Sequence, residues 1–146
     1  MSSDAVHHAV AFLETYRDAF ERYDAEAIVS HFNLPSHIVS DGPEIALITY
    51  ATAEECAAGI RKILELHRRI GVSSGQVLEF AVTGLAANMV SFMLRYQFRD
   101  RHGSELYDFQ GVYSIVRQPA GWRIAAITHN QVPRLMACVE TSSRGP

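Results

Sequence analysis

The sequence predicts an α+β domain in which three N-terminal helices pack on a strongly curved antiparallel sheet. Two observations lead to it: apolar residues recur every three or four positions in the first half of the chain, and at every second position in much of the second half. Helices grouped on one side of an antiparallel sheet define this class. The length of 146 residues fits one domain, with an ordered core at about 4–131 and a flexible tail at 141–146.

Two helices are expected before residue 35. Residues 4–23 have the apolar spacing of an amphipathic helix. Asp24 can cap a shorter helix over 25–32, which Leu34-Pro35 ends because the residue before a proline leaves the helical region.

A third helix follows two short strands, which we place at 36–40 and 44–50. Thr52 and Glu55 are the two ends of a capping box at its start. Gly71 can end this helix in the left-handed conformation that glycine adopts without strain.

Long strands are predicted at 76–85, 87–100, 104–117 and 122–130. The even residues from 90 to 98 are apolar, so they should face inward, and the more aromatic odd residues of the next strand should do the same. On the last strand we place the side of Trp122, Thr128 and Asn130 inward and His129 outward. A one-residue bulge would reverse these orientations beyond it.

Four segments carry a family resemblance: Phe12-Leu13-Glu14-Thr15-Tyr16, Tyr23-Asp24-Ala25-Glu26-Ala27-Ile28, the helix from Thr52, and Gly121-Trp122-Arg123-Ile124. Through them, residues 9–131 resemble the nuclear-transport-factor-2-like (NTF2-like) superfamily, which includes SnoaL-like polyketide cyclases and steroid Δ-isomerases. The resemblance implies a cone in which the sheet curls around the first helix. It implies no particular chemistry, because one fold hosts many functions.

Inside such a cone, we predict a pocket for a small apolar organic ligand. A mostly apolar cavity with a few converging polar groups is typical of such sites. The alternative is that the tyrosines are core residues whose hydroxyls bond to backbone or water. The predicted lining comprises Tyr16, Tyr96, Phe98, Phe109, Tyr113, Trp122, Thr128 and Asn130.

The resemblance to steroid isomerases implies three positions for catalysis. Those enzymes combine an Asp base with an oxyanion hole made by a Tyr and a protonated Asp. Tyr16 matches the oxyanion tyrosine, the base falls on Ser40 with Asp41 one residue later, and the second acid falls on Tyr113. In an enzyme, Tyr16 and Tyr113 would donate to a developing enolate oxygen, and Asp41 or His129 would be the base. Asp41 can equally be a turn residue.

The composition and the motifs of the sequence indicate which kinds of partner to expect. The net charge of −3 and the lack of a basic run argue against nucleic acid, and no apolar run reaches the roughly 20 residues of a membrane span. No metal, nucleotide or cofactor motif occurs, so we expect no cofactor. Cys56 and Cys138 predict two free thiols in a cytoplasmic protein. A homodimer is predicted through the outer sheet face, which carries Met93, Leu106, Val112, Ala125 and Ile127.

Two functions stay open. One is a small-molecule-binding protein, with cofactor-independent isomerisation, cyclisation or dehydration by proton transfer as its catalytic form. The other is a non-catalytic ligand-binding or protein-association domain. A carboxylate or imidazole within hydrogen-bond reach of the deepest point of the pocket would favour catalysis, whereas a pocket closed by packed aromatic rings would favour association.

Overall fold

A computed structural model describes residues 3–143 of the protein. Its helices pack on a curved sheet of six strands. The strands lie in the order β2-β1-β6-β5-β4-β3. β1 runs parallel to β6, and the other neighbouring pairs are antiparallel. The predicted sheet is therefore confirmed, but the expectation that it is antiparallel throughout is wrong at one pair. The strands are β1 (Phe32–Ser40), β2 (Ala46–Tyr50), β3 (Ser74–Ala86), β4 (Met89–Arg99), β5 (Glu105–Gln118) and β6 (Gly121–His129).

The three predicted helices are present, and their ends follow local side-chain chemistry. The Asp24 carboxylate accepts a hydrogen bond from the Ala27 amide at 3.1 Å, and the Thr52 hydroxyl accepts one from the Glu55 amide at 3.2 Å. Gly71 ends the third helix with φ of +86°, as its left-handed role requires. The helices are α1 (Ser3–Glu21), α2 (Ala25–Val29) and α3 (Ala53–Ile70).

The proline at position 35 lies within β1 and does not end a helix. α2 ends at Val29, and β1 already begins at Phe32, so the predicted helix over 25–32 is too long and the predicted strand too short. The Leu34–Pro35 peptide bond is cis. The pairing of β1 with β6 shifts register between Phe32 and His37, which leaves the proline, with no amide hydrogen to donate, outside the regular ladder.

A fourth helix, α4 (Gln131–Ser143), follows β6. Leu135 and Val139 bury its apolar side, and Pro133 lies in its first turn, where an amide hydrogen has no helical partner. Thr141 and Ser142 are helical, so the predicted tail begins too early, and the predicted core ends too soon. Residues 144–146 of that tail lie outside the described residues.

The inner face of the sheet matches the predicted alternation on β4 and β5 but not on β6. The even residues from Val90 to Phe98 are buried. Ser114 of β5 pairs with Ala126 of β6, but the next β5 residue, Ile115, pairs with Ile124. Ala125 of β6 is therefore an extra residue in the pairing.

This bulge at Ala125 reverses the faces beyond it. Ile127 is buried on the inner side, against the outer position predicted for it, and Thr128 is exposed. His129 also turns inward, because its register partner is Gly111 of the inner β5 face.

Candidate functional site

A narrow cavity lies between α1 and the inner face of β4 and β5, and we call it the main cavity. With its open mouth it encloses about 480 Å³ of empty space, and only a small part of this space is enclosed between its walls. The walls of the enclosed part are therefore close together. It is lined by Leu13, Tyr16, Arg17, Phe20, Glu21, Val72, Ser74, Leu94, Tyr96, Phe98, Phe109, Tyr113 and Gln131.

Two tyrosines from different elements meet in this cavity. Tyr16 of α1 is 8% exposed and Tyr113 of β5 is 3% exposed, and their ring centroids lie 6.3 Å apart in an edge-to-face arrangement. Tyr113 is also stacked on Phe92 with centroids 5.1 Å apart. Burial raises the pKa of both phenols, and the neighbouring Tyr113 raises that of Tyr16 further. Both side chains therefore keep their protons and can donate hydrogen bonds.

Both tyrosines line the cavity, and their hydroxyls have no described protein partner. Within residues 4–142, no fully enclosed side-chain oxygen or nitrogen lacks a partner. The phenol oxygens must therefore retain access to the free space. The prediction that Tyr16, Tyr96, Phe98, Phe109 and Tyr113 lie close together on the inside agrees with this geometry.

The mouth of the cavity carries the charged groups. Arg17 lies over the Tyr96 ring at 5.5 Å and donates to the Gly75 carbonyl oxygen at 2.9 Å. Glu21, one turn further along α1, is exposed. The apolar wall of α1 continues with Leu13 and Phe20, so a cation and a carboxylate flank an otherwise aromatic entrance.

A buried polar chain lies behind the cavity wall. The Nε2 atom of His67 is 2.6 Å from the Tyr107 hydroxyl, which also accepts a hydrogen bond from the side-chain amide of Gln131 at 3.2 Å. Burial lowers the pKa of His67 to about 4, so the imidazole is neutral at pH 7. The chain joins α3, β5 and α4, and Gln131 is the member that reaches the cavity.

The two proposed bases lie outside the main cavity. Asp41 follows β1 with an exposed side chain, and its amide donates to the His129 carbonyl oxygen at 3.0 Å. His129 faces inward, but its Nδ1 accepts a hydrogen bond from the backbone amide of Gln131 at 2.9 Å. The neutral ring then carries its proton on Nε2 and has no free lone pair to act as a base. Burial also lowers the pKa of His129, which favours this neutral form.

Three residues predicted to line the pocket lie elsewhere. Trp122 is half-buried on the helix side, but its indole contacts the His8 ring, with centroids 5.1 Å apart, in a separate groove. Thr128 is exposed on the outer face because of the bulge. Asn130 accepts a hydrogen bond from the Gln110 amide through its side-chain oxygen at 2.8 Å, so it holds the end of β6 against β5.

Among the lining residues that sequence reasoning missed are the two charged side chains, Arg17 and Glu21, and the amide side chain of Gln131. The first two could have been found, because with Leu13, Tyr16 and Phe20 they follow the i, i+3, i+4, i+7, i+8 spacing of one helix face. Gln131 was missed because α4 was not predicted.

No three His, Cys, Asp or Glu side chains within the described range cluster as a metal site requires. Cys56 and Cys138 are free thiols, as predicted. Over residues 3–143, no helix has the length and hydropathy that crossing a bilayer requires.

A family model described as "NTF2-like protein (DUF6841)" matches residues 5–132. The chain belongs to this NTF2-like family. The resemblance seen in the sequence is thereby confirmed, and with it the α+β cone fold. A search of functionally curated proteins gave no match.

Solved structures share the fold of this NTF2-like protein at low identity. A domain of unknown function with a cystatin-like fold from Nostoc punctiforme is 15% identical, with a TM-score of 0.67, over 98% of this chain and 88% of that one. An NTF2-like protein of unknown function from Pseudomonas putida is 10% identical, with a TM-score of 0.70, over 89% and 88%. A ketosteroid isomerase-like protein from Erwinia carotovora atroseptica is 15% identical, with a TM-score of 0.62, over 88% and 97%. Likeness at this level concerns the fold alone.

Proposed function

We propose that this NTF2-like protein binds a flat, mostly apolar organic molecule in the main cavity, with an oxygen acceptor turned toward Tyr16 and Tyr113. The observation that carries the proposal is the pair of buried, protonated tyrosines without a described protein partner among the mostly apolar residues that line the cavity. Such a pair suits a carbonyl or ether oxygen, which can accept two hydrogen bonds. The narrow gap between aromatic walls favours a flat molecule over a bulky one.

Binding is better supported than catalysis. Two donors aimed at one oxygen would also stabilise an enolate, but proton transfer needs a base within hydrogen-bond reach of the reacting carbon. Among the described lining residues, the carboxylate is Glu21, which is exposed at the mouth. Packed aromatic rings, with no imidazole among them, form the deep part. We therefore place the protein among ligand-binding domains of this fold.

Replacement of either deep tyrosine by phenylalanine should weaken binding of carbonyl-containing ligands. We expect Tyr16→Phe and Tyr113→Phe each to raise the Kd of a flat aromatic ketone about fivefold, because one hydrogen bond contributes about 1 kcal/mol. A fragment set of such ketones and their hydrocarbon analogues should be screened by thermal shift, and the Kd of each hit measured by calorimetry.

Tyr50→Phe is the matched control, because Tyr50 is half-buried and lies outside the main cavity. The proposal fails if ketones bind all three variants as tightly as the wild type, or if the hydrocarbon analogues lose as much affinity as the ketones do.

The protein is also proposed to form a homodimer through the outer sheet face. An uncharged row crosses all six strands there, because its members are successive register partners. Leu47 is 79% exposed and Val112 is 44% exposed. A second copy would bury this row, which comprises Leu47, Val39, Thr128, Val112, Met93 and Ala81.

A charge in the middle of this row should produce monomers. We expect Val112→Arg to halve the mass measured by light scattering after size exclusion, because a buried, unpaired guanidinium opposes association. Leu85→Arg provides the control, since Leu85 is an exposed apolar residue outside the row. A wild-type protein that is monomeric, or a Val112→Arg protein that remains dimeric, contradicts the proposed interface.

A further inference from the structure

A second groove lies at the other end of α1, beside the hairpin between β5 and β6, and we call it the indole groove. It encloses about 510 Å³ of empty space, on the same measure as the 480 Å³ of the main cavity, and shares no lining residue with it. Its polar and aromatic lining consists of His8, Phe12, Thr15, His31, Trp122 and Arg123.

Two guanidinium groups at this groove have no carboxylate partner among the side chains of residues 4–142. Arg123 donates to the backbone carbonyl oxygens of Trp122 at 2.8 Å and Ala120 at 3.2 Å. Arg117 lies over the Trp122 ring at 5.0 Å and donates to the His8 imidazole at 3.0 Å. Among residues 4–142, the ion pairs of arginine involve other side chains, Arg22, Arg95 and Arg134.

The groove is therefore positive in a chain whose net charge is −3. The positive charge also acts on His31. Burial is the main cause that lowers the pKa of His31, and the charge of Arg123 lowers it further, whereas a hydrogen bond to the Ala27 carbonyl raises it. Carbonyl partners leave the charge of Arg123 in place and occupy two of its five donors. The remaining donors can bind an oxyanion.

Apolar rings complete the groove. The Trp122 indole is half-buried, and the Phe12 ring meets His31 edge-on with centroids 5.3 Å apart. The hydroxyl oxygen of Thr15 lies 2.9 Å from Nε2 of His31. A flat ring can pack against the aromatic side chains while an acidic group on that ring meets Arg123.

We propose that the indole groove binds a small organic anion, a planar ring that carries a carboxylate or a phosphate. This site is separate from the main cavity and does not depend on the function proposed for it. Positive charge and aromatic surface coincide in one recess, and each recognises one part of such a ligand.

Trp122 is the single tryptophan of the chain, so its fluorescence reports on this groove alone. The full chain should be titrated with benzoate, phenyl phosphate, benzamide and acetate, with excitation at the red edge of the indole band, where tyrosine and the probes do not absorb. We expect saturable changes with one or both aromatic anions, and Kd values at least about tenfold weaker for benzamide and acetate, since charged hydrogen bonds are the stronger ones.

Variants separate the contribution of the charge. Arg123→Gln should weaken binding of the aromatic anion at least about tenfold, whereas Arg101→Gln, on the exposed β4–β5 hairpin, should leave it unchanged. Thr15→Glu keeps both arginines but puts a carboxylate in the groove, and it should abolish binding while the melting temperature stays near that of the wild type.

Three results would overturn the proposal. They are binding of benzamide as tight as that of the tighter-binding aromatic anion, equal affinities in Arg123→Gln and Arg101→Gln, and wild-type affinity in Thr15→Glu. The third remains decisive even if Arg123→Gln fails to fold, because Thr15 lies on the exposed side of α1 and its replacement leaves the hairpin intact.

Discussion

Acidification from pH 6.5 to about 4 should remove about 3 kcal/mol of the free energy of unfolding through His67 alone. Burial lowers the pKa of this imidazole from 6.5 to about 4. In that window the unfolded chain binds a proton that the folded protein does not, so stability falls as pH falls. Above pH 6.5 the contribution of neutral His67 to the free energy of unfolding is fully present.

The physical reason lies in the polar chain behind the main cavity. His67 is 1% exposed, and its ring meets Phe98 edge-on with centroids 4.6 Å apart. A charged imidazole there would lose its hydration, and among the described side chains it would gain the Tyr107 hydroxyl alone as a partner. Protonation therefore favours the unfolded chain.

The measurement compares urea unfolding of the wild type and His67→Gln at pH values across this window. Glutamine keeps a hydrogen-bonding group near Tyr107 but does not titrate, so the variant should be less stable at pH 7 and lose about 3 kcal/mol less on acidification. Burial also lowers the pKa of His31 and His129, and both proteins retain those contributions.

His102→Gln, on an exposed hairpin, is the control and should follow the wild-type profile. Parallel profiles for the wild type and His67→Gln would show that His67 does not titrate differently on folding.

A methyl group added at Gly75 should destabilise the protein by about 1–3 kcal/mol, the usual cost of overpacking. A Cβ atom there would overlap the Tyr96 hydroxyl oxygen and the ring carbon that carries it. The ring cannot simply turn aside, because it packs edge-on against Phe98 with centroids 5.0 Å apart and lies beneath Arg17.

A double-mutant cycle isolates this clash. Gly75→Ala should be costly in the wild type but neutral or slightly stabilising in Tyr96→Ala, where the space is open and the added Cβ only restricts the unfolded chain. Ser74→Ala, at the adjacent exposed position, should change stability by less than about 0.5 kcal/mol. Equal costs for Gly75→Ala in both backgrounds would mean that Tyr96 is not what the glycine accommodates.

The helix boundaries that could be predicted are those set by local chemistry. Asp24, Thr52 and Gly71 act through their own side chains or backbone freedom, so a few neighbouring residues suffice to identify them. Pro35 has two local interpretations, a helix stop or an irregular strand, and only its pairing with β6 decides between them. α4 escaped prediction because its apolar signal is short and a proline lies in its first turn.

The parts of the site on β4 and β5 followed from alternation alone. Tyr96 and Tyr113 face inward because these strands pair in register along most of their length. The faces of Thr128 and His129 depend on Ala125, and no local feature marks that residue as the bulge. It arises from the pairing of β6 with β5, which is a tertiary property.

The parallel pairing of β1 with β6 has a consequence for how the protein is made. His37 and Ala126 are register partners, about ninety residues apart in the chain, and contacts of such separation slow folding. On the ribosome, β1 and β2 must wait until β6 has emerged before they can join the sheet. Until then their apolar edges stay open to chaperones and to other nascent chains.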